Sequence, residues 1–181
     1  MKKELQIDPL IFKEADLEKD KEICLKFRAD SFLASFGTED AFWEEDGKGG
    51  ERYLDWLKEK DPEKFGVFHI WEGDEIIGQM ELALLRGDDS WGYVNLFYLK
   101  PEMRGKGYSK YLDDFTTKFL KGLGISRAKL SVSPSNKRAW NYYLKCGWKD
   151  QGPRDFEVEG RAGKGHENLV HWMSKEFVGN D

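Results

Sequence analysis

A glycine-rich turn stands between an apolar stretch and an amphipathic one, and its residue types suit an anion. The turn consists of Arg104, Gly105, Lys106, Gly107, Tyr108 and Ser109. Because glycine lacks a Cβ, the backbone can approach a ligand closely and turn successive N–H groups toward it. A helix that begins here adds unpaired N–H groups and the positive end of its dipole. The pattern favours a diphosphate, although a tight connection that binds nothing can have the same composition.

The elements on either side of this turn must hold it in place. Residues 93–99 are apolar or aromatic apart from Asn95, which is typical of a strand covered on both faces. The apolar residues of segment 109–121 recur at helical spacing, and glycines follow that segment. A second strand over residues 125–133 would complete a parallel crossover unit. The turn is therefore expected directly between a strand and a helix.

Two motifs, in the right order, resemble those of one enzyme family. Arg104-x-x-Gly107-x-Ser109 resembles the acetyl-CoA signature of the GCN5-related N-acetyltransferase (GNAT) family, with Ser109 replacing its last small residue. That serine still lets a pyrophosphate approach, and it offers a hydroxyl or a helix N-cap. Downstream, Asn136-x-x-Ala139-x-x-Tyr142-Tyr143-x-x-x-Gly147-Trp148 is similar to the family's second motif. The resemblance covers residues 68–177, and earlier residues match only in pattern.

The resemblance implies a fold and a cofactor. The expected fold is one α/β domain over residues 1–181, with a mixed, mostly antiparallel sheet, a central splayed parallel strand pair and flanking helices. The expected acyl donor is acetyl-CoA, with its pyrophosphate on the glycine-rich turn and its pantetheine arm between the splayed strands. Backbone groups of Leu96, Phe97 and Tyr98 are then expected to pair with the pantetheine amides.

Acyl transfer to an amine needs a proton donor for the departing thiolate. The family motif assigns this role, together with contact to the coenzyme sulfur, to Tyr143, although packing alone also explains a tyrosine on a buried helix face. Asn136 is expected to contact the cofactor by resemblance. An N-cap role explains Asn136 equally well.

The general base is harder to assign. Several relatives have a glutamate on the central strand, where this chain has Tyr93 and Asn95, and neither is a base near neutral pH. Glu81, on the neighbouring strand, faces the side opposite to Met80 and Leu82. It is the candidate base, acting through a water, or it pairs with a lysine or a backbone group. The amine can alternatively lose its proton to ordered water, so that positioning provides most of the rate enhancement.

An acidic loop over residues 38–50 is the candidate wall of the acceptor site. Five carboxylates surround Phe42 and Trp43 there: Glu39, Asp40, Glu44, Glu45 and Asp46. A solvated connector explains this composition. The resemblance also allows recognition of an amine by carboxylates beside aromatic rings.

The other segments predict a regular order of elements. They are a strand over residues 5–13, a helix that Gly37 ends, a helix over 51–60, a hairpin of 66–71 with 76–85, and a closing hairpin of 148–158 with 168–177. The tip of the closing hairpin, residues 160–165, lacks the full phosphate-binding P-loop pattern and is expected to be a flexible loop.

Composition excludes several classes of function. A net charge of −5 and a pI near 5.4 argue against broad nucleic-acid binding. The N-terminus lacks the apolar core of a signal peptide and no apolar run could span a bilayer, so a cytoplasmic protein without a membrane partner is expected. Neither the two cysteines nor the three histidines share a ligand spacing. No structural metal is expected.

The sequence therefore predicts an enzyme, an acetyl-CoA-dependent N-acyltransferase that acetylates a primary amine of a small molecule or peptide in a ternary complex. The alternative is a non-catalytic acyl-CoA-binding or sensing module on the same fold, which Ser109 and the missing strand carboxylate mildly favour. A third interpretation, a general nucleotide-phosphate-binding domain, is less favoured because the sequence lacks repeated strand-helix units. The identity of the amine, the use of other acyl groups and the formation of a homodimer stay open.

Overall fold

The computed structural model describes residues 3–155 and 169–178. Its strands are β1 (Glu4–Ile7), β2 (Leu10–Glu14), β3 (Phe65–Glu72), β4 (Glu75–Leu85), β5 (Asp88–Leu99), β6 (Arg127–Val132), β7 (Lys149–Pro153) and β8 (His171–Glu176). Its helices are α1 (Lys21–Phe36), α2 (Asp40–Trp43), α3 (Gly49–Lys58), α4 (Ser109–Gly122) and α5 (Lys137–Lys145), and a 3₁₀ turn, Pro101–Met103, follows β5.

The strands within these ranges form one sheet in the order β1-β2-β3-β4-β5-β6-β8-β7. Neighbouring strands are antiparallel except for β5 and β6, which are parallel. The predicted α/β fold, a mostly antiparallel sheet with a central parallel pair and flanking helices, is confirmed.

Helices cover both faces of the sheet. On one face, Leu112 and Phe115 of α4 pack with Met80 and Leu82 of β4, and Tyr143 of α5 belongs to the same cluster. On the other face, side chains of α1, α2 and α3 pack on β3. The parallel pair therefore lies near the middle of a sheet that has a core on each side.

Three predictions in the first sixty residues were wrong. The predicted loop over residues 38–50 contains the short helix α2 and the first residues of α3. Segment 5–13 folds as a hairpin of β1 and β2 joined at Asp8 and Pro9, because proline has no N–H to donate and its fixed φ favours a turn. Helix α3 begins at Gly49 rather than at residue 51. A Cβ at Gly49 would lie 1.8 Å from the Phe42 carbonyl oxygen, so close packing against α2 requires glycine there.

The closing hairpin forms with shorter strands than predicted. Strands β7 and β8 pair antiparallel, with Lys149 opposite Ser174 and Pro153 opposite His171. Residues 160–165, the predicted tip, lie outside the described residues.

Candidate active site

The two parallel strands separate after a short stretch of pairing. Gly92, Tyr93 and Val94 of β5 lie opposite Ala128, Lys129 and Leu130 of β6, and the pairing recorded between these strands ends there. Strand β5 continues along β4, and β6 continues along β8. A wedge therefore opens between residues 95–99 and the end of β6. The wedge points toward the glycine-rich turn that follows β5.

Asn95 is the extra residue of a β-bulge at the start of the wedge. Glu81 of β4 lies opposite Leu96 and Leu82 lies opposite Val94, so Asn95 has no partner on β4. Residues two apart on a regular strand share a face. Here, however, Val94 packs on the α4 side and Leu96 packs with α1 on the other side. After the bulge, the even-numbered side chains of β5 point to the α1 face of the sheet instead of the α4 face. The bulge also directs the Asn95 side chain to Glu81.

The bulged strand presents one open backbone edge to the wedge. The Lys100 N–H donates to the Ile77 carbonyl of β4 at 2.9 Å. Backbone groups alternate between the two edges of a strand, so those of Leu96 and Tyr98 also point to β4. Of the three residues predicted to pair with pantetheine, Phe97 is the one whose N–H and C=O face the wedge.

The glycine-rich turn has the backbone shape of an anion site. Gly105 has φ 78° and Gly107 has φ 82°, values that favour glycine, and a Cβ added at either would meet nothing within 4 Å. Helix α4 begins at Ser109, its N-cap residue is Tyr108, and no side chain caps it. Ser109 is therefore not the N-cap. The Tyr108 hydroxyl instead donates to Glu72 of β3.

The basic side chains of the turn contact the protein. Arg104 Nε donates to the Leu99 carbonyl at 2.8 Å, and its guanidinium lies 5.5 Å from the centre of the Tyr98 ring. Lys106 Nζ lies 3.6 Å from the sulfur of Met103. Arg104 thus fixes the turn to the end of β5. These contacts hold the positive charge of Arg104 in a fixed position beside the turn.

Tyr143 packs against the strand that borders the wedge. Its ring stacks on Phe97 with centroids 5.8 Å apart and meets Trp148 edge-on at 6.0 Å. Within the described ranges its hydroxyl has no recorded hydrogen-bond partner, whereas the adjacent Tyr142 hydroxyl donates to the Ser109 carbonyl. Burial raises the pKa of Tyr143, so the phenol is protonated at neutral pH and can donate a proton.

Asn136 caps helix α5, as one of its two sequence-based interpretations requires. Its Oδ1 accepts from the Ala139 N–H at 3.3 Å, and its Nδ2 donates to Ser35 Oγ at 3.4 Å. The side chain thus joins the end of α1 to the start of α5. Contact of Asn136 with a cofactor stays a prediction.

Glu81 is fully buried at a point where several donors converge. The Tyr53 hydroxyl and the Gln79 amide donate to Oε1, and the Asn95 amide donates to Oε2. Arg28 Nη1 lies 4.0 Å from Oε2. This set fits the ionised form, since a carboxylate has only acceptor sites. Because Glu81 has no exposed surface, a base role would need an intervening group, and that role stays a prediction.

The hydrogen-bonded cluster continues from Glu81 beneath α1. Gln79 Oε1 lies 3.2 Å from His69 Nε2, and Cys24 Sγ lies 3.6 Å from the same nitrogen. Burial lowers the pKa of His69 and raises the pKa of Cys24 to about 12. Cys24 is therefore a protonated structural thiol. On the far side, His69 and Asp20 help to line a cavity of about 210 Å³.

Part of the acidic loop is neutralised by an arginine of α3. Glu44 and Asp46 both pair with the Arg52 guanidinium. The hydrogen bond from Arg52, helped by a backbone N–H, lowers the pKa of Asp46 to about 2. The loop therefore attracts cations less strongly than its five carboxylates alone would.

Three residues of the site were missed from the sequence. Tyr53 lies on the predicted helix over residues 51–60, and its helical spacing can show burial but not its carboxylate partner. Arg28 and Arg154 were not singled out. Arg154 Nη1 donates to Tyr93 Oη at 3.3 Å and to Ser131 Oγ at 2.8 Å, which joins β5 to β6 beside the point where they separate.

Comparison with known proteins agrees with this geometry. Residues 30–148 match the model of the acetyltransferase (GNAT) family. The chain belongs to this family. Uncharacterized N-acetyltransferases of Mycobacterium tuberculosis and Mycobacterium bovis are 35% identical over 95 residues, which cover 52% of this chain and 58% of each relative. The match thus spans little more than half the length of those relatives.

Solved structures share the fold at low sequence identity. An acetyltransferase from Thermus thermophilus has a TM-score of 0.70 and 16% identity, covering 96% of this chain and 100% of that one. Spermidine N-acetyltransferase from Vibrio cholerae, in complex with CoA and spermine, has a TM-score of 0.67 and 17% identity, with 94% and 96% covered. AAC(6′)-Ib, in complex with ribostamycin and coenzyme A, has a TM-score of 0.69 and 18% identity, with 93% and 94% covered.

Proposed function

We propose that this chain transfers an acetyl group from acetyl-CoA to a primary amine of a small molecule or peptide by direct attack in a ternary complex. The observation that carries the proposal is the wedge between β5 and β6. An open backbone edge at Phe97 and the Tyr143 hydroxyl lie beside it, and the glycine-rich turn lies at its open end.

The acyl donor is acetyl-CoA, and the residues present suit it. Open space at Gly105 and Gly107 and the uncapped start of α4 support binding of the pyrophosphate. The Phe97 N–H and C=O suit the pantetheine amides. The fold is shared with the Vibrio cholerae enzyme and AAC(6′)-Ib, whose structures contain CoA, which supports the same choice.

The chemistry needs two proton movements. The amine nitrogen forms a bond to the acetyl carbon as the carbon–sulfur bond breaks, and Tyr143 donates a proton to the departing sulfur. The proton lost by the amine passes to water or, through an intervening group, to Glu81. Holding the amine at the mouth of the wedge contributes by proximity and orientation.

A non-catalytic acyl-CoA-binding module is the second candidate, because Glu81 is fully buried and already accepts several hydrogen bonds. Calorimetry with acetyl-CoA, combined with a thiol-release screen of amines and mass spectrometry of the products, separates the two. Thiol release with an acetylated product supports the transferase. Binding without thiol release from any amine supports the binding module, and an absence of binding contradicts both.

Among residues 3–155 and 169–178, no helix is both long and apolar enough to cross a membrane. We propose that the chain acts as a single domain in the cytoplasm. Fractionation of cells that express the full chain tests this location.

A further inference from the structure

The amine must reach the wedge from one face of the sheet. Val94 and Leu130 pack in the cluster that contains α4 and α5, so by alternation Tyr93 and Ser131 face the opposite side. On that opposite side, α1 covers the end of β5, where Phe27 packs on Tyr98 at 4.7 Å. The acceptor therefore approaches over the neighbouring part of β5, β6 and β8.

An aromatic and basic surface lies on this part of the sheet. We call it the Trp172 cluster, and it consists of Trp91, Tyr93, Lys129, Arg154 and Trp172. The Arg154 guanidinium lies 4.2 Å, and Lys129 Nζ 5.6 Å, from the centre of the Trp172 ring. Lys129 Nζ also lies 4.7 Å from the Trp91 ring. Two cations therefore converge on one indole beside the start of the wedge.

The acidic groups described around the wedge have closer partners than Lys129, the cation of this cluster that the described part of the structure leaves without an ion pair. Glu81 has Arg28 beside it, and the paired carboxylates of the acidic loop bind Arg52. Asp88, at the start of β5, accepts from the hydroxyl and the N–H of Ser90, and these hydrogen bonds lower its pKa more than the attraction of Arg127 and Lys129 does. Within the part of the chain that the structure describes, Lys129 contacts aromatic rings and has no recorded ion pair.

We propose that the acceptor amine also carries a carboxylate, and that this carboxylate docks on Lys129 in the Trp172 cluster. The inference rests on the proposed acetyl transfer and specifies its substrate class. A carboxylate forms a charge-assisted hydrogen bond with Lys129, whereas the second ammonium of a diamine is repelled by it. The half-buried setting between two indoles reduces screening of this charge by solvent.

The experiment uses three matched acceptors: an ω-amino acid, its ω-amino amide and the diamine of the same chain length. Each is tested at several chain lengths by thiol release with acetyl-CoA, at low and at high salt. The variants are Lys129→Gln and Lys129→Glu. The matched control is Lys118→Gln, which removes an exposed charge from α4 on the opposite face of the sheet.

We expect kcat/KM for the amino acid to exceed that for the amide by about tenfold, the size of one charge-assisted hydrogen bond. Lys129→Gln should remove this preference and Lys129→Glu should reverse it, while Lys118→Gln changes each value by less than about twofold. Equal kcat/KM for the amino acid and the amide, or a higher value for the diamine, overturns the inference about the carboxylate. Either result leaves the proposed acetyl transfer standing. If acetyl-CoA binds and no amine of any kind releases thiol, the transferase proposal itself fails and takes the inference with it.

Discussion

Replacing Tyr143 with phenylalanine should remove the proton donor without disturbing the fold. The ring stacks on Phe97 and contacts Trp148 through its faces and edges, and these contacts survive in the variant. No internal hydrogen bond is recorded for the hydroxyl among the described residues, so its loss should change the free energy of unfolding by less than about 0.5 kcal/mol. Turnover should fall by about 10²–10⁴, the usual contribution of a positioned acid.

The adjacent tyrosine is a matched control with the opposite expectation. The Tyr142 hydroxyl donates to the Ser109 carbonyl, and this hydrogen bond connects α5 to the first residue of α4. Tyr142→Phe should lower the free energy of unfolding by about 1 kcal/mol. In a chain of this size that corresponds to a fall in Tm of about 2–4 °C. Turnover at saturating acetyl-CoA should be retained, because the proposed donor is still present.

Steady-state kinetics and thermal unfolding of both variants separate the two roles. Burial raises the pKa of Tyr143 above the ordinary tyrosine value near 10. Tyr143 should therefore keep its proton, and kcat should not fall through loss of that proton, between about pH 7 and pH 10. Equal turnover in Tyr143→Phe and the parent would refute the assignment. So would a loss in Tyr142→Phe as large as that in Tyr143→Phe.

Three other changes probe the site and its support. Gly107→Glu should raise the Kd of acetyl-CoA at least tenfold, or about 1.4 kcal/mol, above the Kd of Gly107→Ala. Both variants bear the same backbone strain at φ 82°, and only the glutamate adds negative charge. Equal Kd values by calorimetry contradict the phosphate site. Glu81→Gln should lower the free energy of unfolding by about 3–5 kcal/mol in urea, since Arg28 loses its buried counter-charge, and a loss below about 1 kcal/mol contradicts this. The folded-state pKa of His69 is lowered below 6.5 by burial, so its contribution to stability is complete above pH 6.5 and is lost as the pH falls through the folded pKa. Between about pH 7.5 and 5, His69→Gln should therefore lose less stability than the parent, and identical slopes of Tm against pH would exclude this role.

The local order of the site was predictable because it depends on neighbouring residues. Gly105 and Gly107 mark a turn at the level of single residues, and the helix that follows is visible as a periodic apolar face. Asn136 precedes its helix as an N-cap should, which the hydrogen bond to Ala139 confirms. Each of these features needs only a short window of sequence.

The features that were missed depend on residues far apart in the chain. The pairing of Arg52 with the acidic loop depends on how α2 packs against α3, and periodicity carries no information about it. The bulge at Asn95 becomes visible only when β5 is aligned with β4. Tyr53 has the spacing of an ordinary core residue, and nothing local shows that its hydroxyl meets Glu81.

These long-range contacts converge on the place where the sheet opens. Arg28 donates to the Asn95 carbonyl at 3.1 Å, and the Asn95 side chain donates to Glu81. The bulge is therefore held through its backbone and its side chain at once, by a cation and an anion that also lie beside each other. A buried ion pair gives little net stability, because desolvation offsets its attraction. Its value here is geometric: it fixes the residue at which β5 changes face and leaves β6, and hence the position of the open edge at Phe97 relative to Tyr143.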